Sequence, residues 1–115
     1  MQEIFQGITK IKGVEGVFFV QPDGQPIFQW TAPDAADSIG EAPWDSLDRA
    51  FPAMREIELL FTKRRVYMVR ADNGFLIVVM DLHAPAAGMR LDCKIALSHL
   101  HRKNEAAKDY KLSQN

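Results

Sequence analysis

A chain of 115 residues, 47% hydrophobic and formally −1 at neutral pH, is one domain's worth of sequence, able to take roughly two-thirds of its unfolded surface out of water in a single core. Its one cysteine, Cys93, excludes an intrachain disulfide and argues against a structural zinc cluster, and the near-neutral balance argues against nucleic-acid binding by bulk electrostatics. Neither a signal-peptide pattern nor a run of about 18 apolar residues occurs, which leads us to expect a soluble, cytoplasmic protein.

The chain opens on an amphipathic segment, Met1 to Ile11, whose apolar residues Ile4, Phe5, Ile8 and Ile11 recur at helical spacing. Gly13-Val14-Glu15-Gly16 leads into an apolar strand, Val17-Phe18-Phe19-Val20, and Pro22-Asp23-Gly24-Gln25 turns it back into Ile27-Phe28-Gln29-Trp30. In that turn Pro22 presets the second position, Asp23 can bond its own backbone, and Gly24 supplies the left-handed residue. Thr31 to Pro43 has no sustained period and reads mainly as a loop. Pro43 is placed to start a helix with Trp44, Leu47, Phe51 and Met54 on one stripe, and Pro52 must kink or split it.

Ile57 to Thr62 alternates as a strand, with Ile57, Leu59 and Phe61 on one side and Glu58, Leu60 and Thr62 on the other. Lys63-Arg64-Arg65 reads as a short polar connection to a strand over Val66 to Ala71, with Val66, Met68 and Arg70 on one side. Asp72-Asn73-Gly74 is a hairpin signal returning the chain into Phe75 to Asp81. Phe75 to Met80 is apolar at every position, which predicts a central strand covered on both faces. After Pro85, Ala86 to Lys111 reads as a closing helix with Met89, Cys93, Ala96, Leu97, Leu100 and Ala107 toward the core. Leu91 and Ile95 lie on a different side, where the first helix is the expected cover and exposure for a partner is the alternative. The polar end, residues 109–115, is expected to fray.

Charge is segregated along the chain. Residues 31–58 carry Asp34, Asp37, Glu41, Asp45, Asp48, Glu56 and Glu58 against Arg49 and Arg55, whereas residues 63–111 carry ten bases against five acids. Solvated helix faces explain this, and steering of a charged partner is the functional alternative.

Catalytic signatures are sparse. His99 and His101 are two apart on a helix and point to nearly opposite sides, so they do not chelate one metal. Cys93 falls on the core stripe away from His99, which makes it a small buried hydrophobe rather than a nucleophile. His83 beside Asp81 lacks a nearby nucleophile in a strand-turn-helix elbow. Gly13-x-x-Gly16 enters a strand, and no phosphate-loop motif occurs, so no metal, cofactor or nucleotide site is expected. Lys63, Arg64 and Arg65 are candidate partner-contacting bases, in the manner of an arginine finger, against the simpler reading of solubilising charge.

The order helix, strand, strand, helix, three strands, helix, together with Gly13-Val14-Glu15-Gly16-Val17-Phe18-Phe19-Val20, the Asp23-Gly24 turn followed by Pro26-Ile27, and the blocks Glu58-Leu59-Leu60-Phe61-Thr62 and Asn73 to Val79, resembles a roadblock (dynein light-chain, MglB-like) domain. The likeness spans nearly the whole chain, and the closing helix makes it similar to prokaryotic members. It implies an α+β fold of αββαβββα order, a roadblock-type (profilin-like or longin-like) three-layer sandwich. Its five-stranded antiparallel sheet would carry one helix on one face and two on the other, in a single domain over residues 1–115. It further implies pairing through the middle helix and an edge strand. The residues expected there are Trp44, Leu47, Phe51, Met54, Glu58, Leu60 and Thr62, although Pro43 and Pro52 confine that helix to less than the family's length. By the same resemblance the chain is a homodimeric, non-catalytic scaffold that binds a Ras-like small GTPase or a motor complex, either activating hydrolysis by that GTPase or stabilising one of its states. A profilin-like or PAS-like ligand-binding module is the rival, and an enlarged cavity beside Phe19, Met68 or Met80 would favour it.

Overall fold

Residues 2–33, 50 and 52–113 are described in the computed structural model of the chain. The amphipathic opening folds as helix α1 (Gln2–Thr9), which buries Phe5 and Ile8. Gly13, at φ 96°, turns it into strand β1 (Val14–Val20), which pairs antiparallel with β2 (Pro26–Thr31). The connecting turn has the expected chemistry: the Gly24 amide donates to the Gln21 carbonyl at 2.8 Å, the Asp23 carboxylate accepts from the Gln25 amide at 3.0 Å, and Gly24 sits at φ 90°.

Strands β3 (Glu56–Leu60), β4 (Arg64–Ala71) and β5 (Gly74–Asp81) complete a five-stranded antiparallel sheet in the order β2-β1-β5-β4-β3. The all-apolar strand β5 is central, and Gly74 to Met80 are buried throughout, because strands on both sides and side chains on both faces remove it from water. Alternation along the strands sorts the core into two halves. Phe19, Tyr67, Leu76, Val78 and Met80 pack under the helices, whereas Phe18, Val66, Met68, Phe75, Ile77 and Val79 form a second buried cluster, with Ile57 and Leu59 against it.

The closing helix α2 (Ala86–Ser113) lies on the first of these faces beside α1, lowering Met89, Cys93, Ala96 and Leu100 onto the sheet. It runs past Lys111, where the sequence pattern was expected to stop. No helix among the described residues is long and apolar enough to cross a membrane.

Three expectations are corrected. Lys63-Arg64-Arg65 is not all connection: Arg64 and Arg65 are the first residues of β4, because their backbones pair with Asp81 and Met80 of β5. The helix expected through Met54 does not reach it, since Pro52 and Ala53 form a turn and Met54 has no regular structure. A proline there denies the preceding turn a hydrogen bond, and the Met54 and Pro52 carbonyls are taken instead by the Arg70 guanidinium at 3.0 and 3.1 Å. The rest of that helix, with Trp44, Leu47 and Phe51, lies outside the described residues. Third, α1 lies beside α2 but leaves Leu91 and Ile95 exposed, because the α2 residues it meets are on another part of the helix circumference.

Candidate interaction surface

The free side of β3 is the principal feature. Among the described residues β3 pairs only with β4, and the Phe61 amide donates to the Arg64 carbonyl at 2.8 Å while the Arg70 amide donates to the Arg55 carbonyl at 2.7 Å. In an antiparallel ladder those hydrogen-bonded positions recur every second residue, so Ile57 and Leu59 also point their amides and carbonyls at β4. The backbone groups of Glu56, Glu58 and Leu60 therefore point away from it, and no strand pairs with them among the described residues. Leu60 is 73% exposed and Phe61 55% exposed at the end of this edge, with Thr62 and Lys63 exposed beside them. An edge strand with apolar residues at its end is a template for another strand.

Behind the edge lies a charged network that no sequence pattern announced. Glu58 takes the Arg90 guanidinium on one carboxylate oxygen and faces Arg65 at 3.6 Å on the other. Arg65 also donates to the Ala84 carbonyl, and its side chain is only 15% exposed. Arg90 stacks over the Tyr67 ring at 5.6 Å, and Tyr67 donates its hydroxyl to Glu56 at 2.6 Å. Two residues of β3 are thus tied to β4 and to α2, which holds the edge in a single geometry. Arg90 could not be singled out from the sequence, because its role depends on α2 lying across β3 and β4.

The expected site residues divide accordingly. Glu58, Leu60, Thr62 and Lys63 come together along β3 and the hairpin after it. Arg65 is held inside the network, and Arg64 pairs with Glu15 at 2.9 Å, so both have partners within the chain. Met54 is half-buried just ahead of β3 in the chain, its carbonyl engaged by Arg70. Trp44, Leu47 and Phe51 lie outside the described residues.

The remaining chemistry is structural. The Asp81 carboxylate accepts the His83 backbone amide at 2.8 Å, closing a turn rather than orienting the imidazole. His101 pairs with Asp72, while His99 is exposed on another side of α2. Cys93 is fully buried with its Sγ 3.5 Å from Met89 Sδ, and burial pushes its thiol up to about 12. Burial also raises Tyr67, reinforced by its hydrogen bond to Glu56 and that carboxylate's charge. Both folded-state values lie above the unfolded ones, ordinarily 9.0 and 10.0, so these groups support the fold fully below pH 9 and withdraw that support as pH rises. The urea midpoint should be flat through neutral pH and decline from pH 9 upward, and a flat profile to pH 11 would contradict this reading; about two units span such a titration.

Phe19, Met68 and Met80 are each at most 5% exposed and lie in the two buried clusters. A cavity opens elsewhere, where the β4–β5 turn meets α2.

Comparison with known proteins finds no family model and no curated sequence that matches. Solved structures do match. A structure described as MglB with a tetrameric arrangement aligns at TM-score 0.73 and 20% identity over 91% of this chain and 88% of that one. The gliding protein MglB of Thermus thermophilus aligns at 0.70 and 19% over 87% and 84%, and a Roadblock/LC7 domain of Streptomyces avermitilis at 0.71 and 14% over 91% and 98%. The fold is therefore of the roadblock type, which is what the motifs led us to expect.

Proposed function

We propose that this roadblock-type chain is a non-catalytic regulatory module, which pairs with a second copy and docks a Ras-like small GTPase so as to stabilise one state of its switch regions. The observation that carries this reading is the open β3 edge. Glu56, Glu58 and Leu60 offer three outward backbone rungs, Leu60 and Phe61 offer exposed apolar surface, and the Glu58 network keeps the strand rigid. A preorganised edge gives main-chain hydrogen bonds to a partner strand without first ordering it. The likeness to MglB-type structures supports a regulator, and the resemblance read in the motifs adds the GTPase as its partner. Activation of hydrolysis, if present, acts on the partner's site.

The functional test is a pull-down from native extract with a GTP analogue and with GDP in parallel. Enrichment of a Ras-like GTPase by one nucleotide is the expected result; none in either sample would overturn the GTPase reading. Pairing is tested separately by light scattering at tens of micromolar. The unmodified protein should run as a dimer and the double variant Leu60→Lys, Phe61→Lys as a folded monomer, since two charges on an edge oppose strand addition. A monomeric parent, or a variant that stays dimeric, would overturn pairing through β3.

A further inference from the structure

The cavity at the β4–β5 turn has a volume of about 260 Å³ and shares no residue with the β3 edge or its network. Its floor is apolar: Ala71 at the end of β4, and Leu97 and Leu100 from α2, all three packed into the helix-side core. Its rim is polar. Lys94, Ser98 and Asn104 come from α2 and Asn73 from the turn, and among the described residues none of these four side chains has a hydrogen-bond or ion-pair partner. Across one wall His101 pairs with Asp72, tying the helix to the turn and occupying the one carboxylate in the lining. Arg70 also lines the cavity, but its guanidinium is engaged by the Met54 and Pro52 carbonyls, which leaves the Lys94 ammonium as the charge available at the rim. An apolar floor with a few uncommitted polar groups around it is the make-up of a small-molecule site, here somewhat below drug size.

From this arrangement we propose that the cavity binds a small organic acid, a single carboxylate on a compact apolar body. The body would lie on Ala71, Leu97 and Leu100, and the carboxylate would take an ion pair from Lys94 and hydrogen bonds from Ser98 and the Asn104 amide. A cation is disfavoured by Lys94. A polyphosphate is disfavoured because one lysine without a glycine-rich loop does not neutralise it. Because Lys94 and Ser98 are solvent-exposed and the ligand is small, affinity should be of millimolar order. The site does not rest on the GTPase reading and can stand if that reading falls.

Titration of the isotope-labelled protein with benzoate, followed by amide chemical shifts at constant ionic strength, tests it, with benzyl alcohol as the neutral probe of similar shape. The expected result is saturable shifts confined to residues 71–73 and 94–104. Benzyl alcohol, and benzoate against Lys94→Gln, should each bind at least about tenfold more weakly. Ser98→Trp, which fills the mouth from an exposed position, should abolish the shifts even where Lys94→Gln alters the fold. Shifts that are linear and unsaturated, that spread over the molecule, or that are equal for benzyl alcohol or for Lys94→Gln would overturn the proposal.

Discussion

A Gly74→Val protein is expected to lose its cooperative unfolding transition, and Gly74→Ala to melt far below the parent. The reason is space, not conformation, since Gly74 is not among the glycines of positive φ. A Cβ on Gly74 would stand 2.1 Å from the Val20 carbonyl oxygen and 3.0 Å from its carbon. Those atoms are backbone of β1, which pairs with β5 from Val14↔Met80 to Val20↔Phe75, so relief requires prising apart the central pair of the sheet. Overpacking a core typically costs about 1–3 kcal/mol where side chains can yield, and here backbone must move, so about 4 kcal/mol for alanine and more for valine is expected. That is much of the roughly 5–15 kcal/mol available to such a domain. Thermal melts by circular dichroism decide it, with an internal control in Gly7→Ala and Gly88→Ala. Those glycines have nothing within 4 Å of an added Cβ, and alanine there should be neutral or stabilising by up to about 1 kcal/mol. A Gly74→Ala melt within a few degrees of the parent would show that the strands separate more easily than their burial implies.

Phe5→Ala carries the second large effect. Phe5 is fully buried, and its ring lies 5.9 Å from Phe19 of β1 and 5.1 Å from Phe28 of β2. Through it α1 meets both strands of the first hairpin, and besides its ladder to β1, β2 reaches the helix-side core through the half-buried Phe28 and Trp30. Truncation removes the transfer energy of the ring, two aromatic contacts and the fit of the layer, together about 3–5 kcal/mol. Urea unfolding should show a lower midpoint. Hydrogen exchange should speed up first in α1 and β2, because the α2 side of the core keeps Met89, Cys93, Ala96 and Leu100 in place. A loss below about 1 kcal/mol, or exchange that quickens evenly, would mean that α1 is held by Ile8 and Ile4 instead.

Local chemistry was legible because it is written in neighbouring residues. Pro22-Asp23-Gly24 specifies its own turn, the run from Phe75 to Met80 specifies a strand buried on both faces, and the alternation in Ile57 to Leu60 specifies which side chains meet the sheet core. The same reading placed the Asp72-Asn73-Gly74 hairpin, which joins β4 to β5 through Ala71↔Gly74, but not the close approach of Gly74 to Val20. The glycine serves the contact with Val20 rather than a left-handed turn, and that contact joins residues more than fifty positions apart. It also treated Lys63, Arg64 and Arg65 as one loop, because charge suggests solvent, although Arg65 is sheltered once Glu58 and α2 surround it.

The order of the described elements and the central strand thus follow from residue spacing and turn chemistry, since those depend on interactions within a few residues, and the fold class and the pairing edge follow from the family resemblance that those motifs carry. The Glu58, Arg65 and Arg90 network, the outward rungs of Glu56, Glu58 and Leu60, the exposure of Leu91 and Ile95 and the cavity beside Lys94 do not. Each depends on the register of one strand or the rotation of one helix against elements distant in the chain. A shift of one residue in register, or of about 100° in helix rotation, would rearrange every one of them without changing the pattern of the sequence.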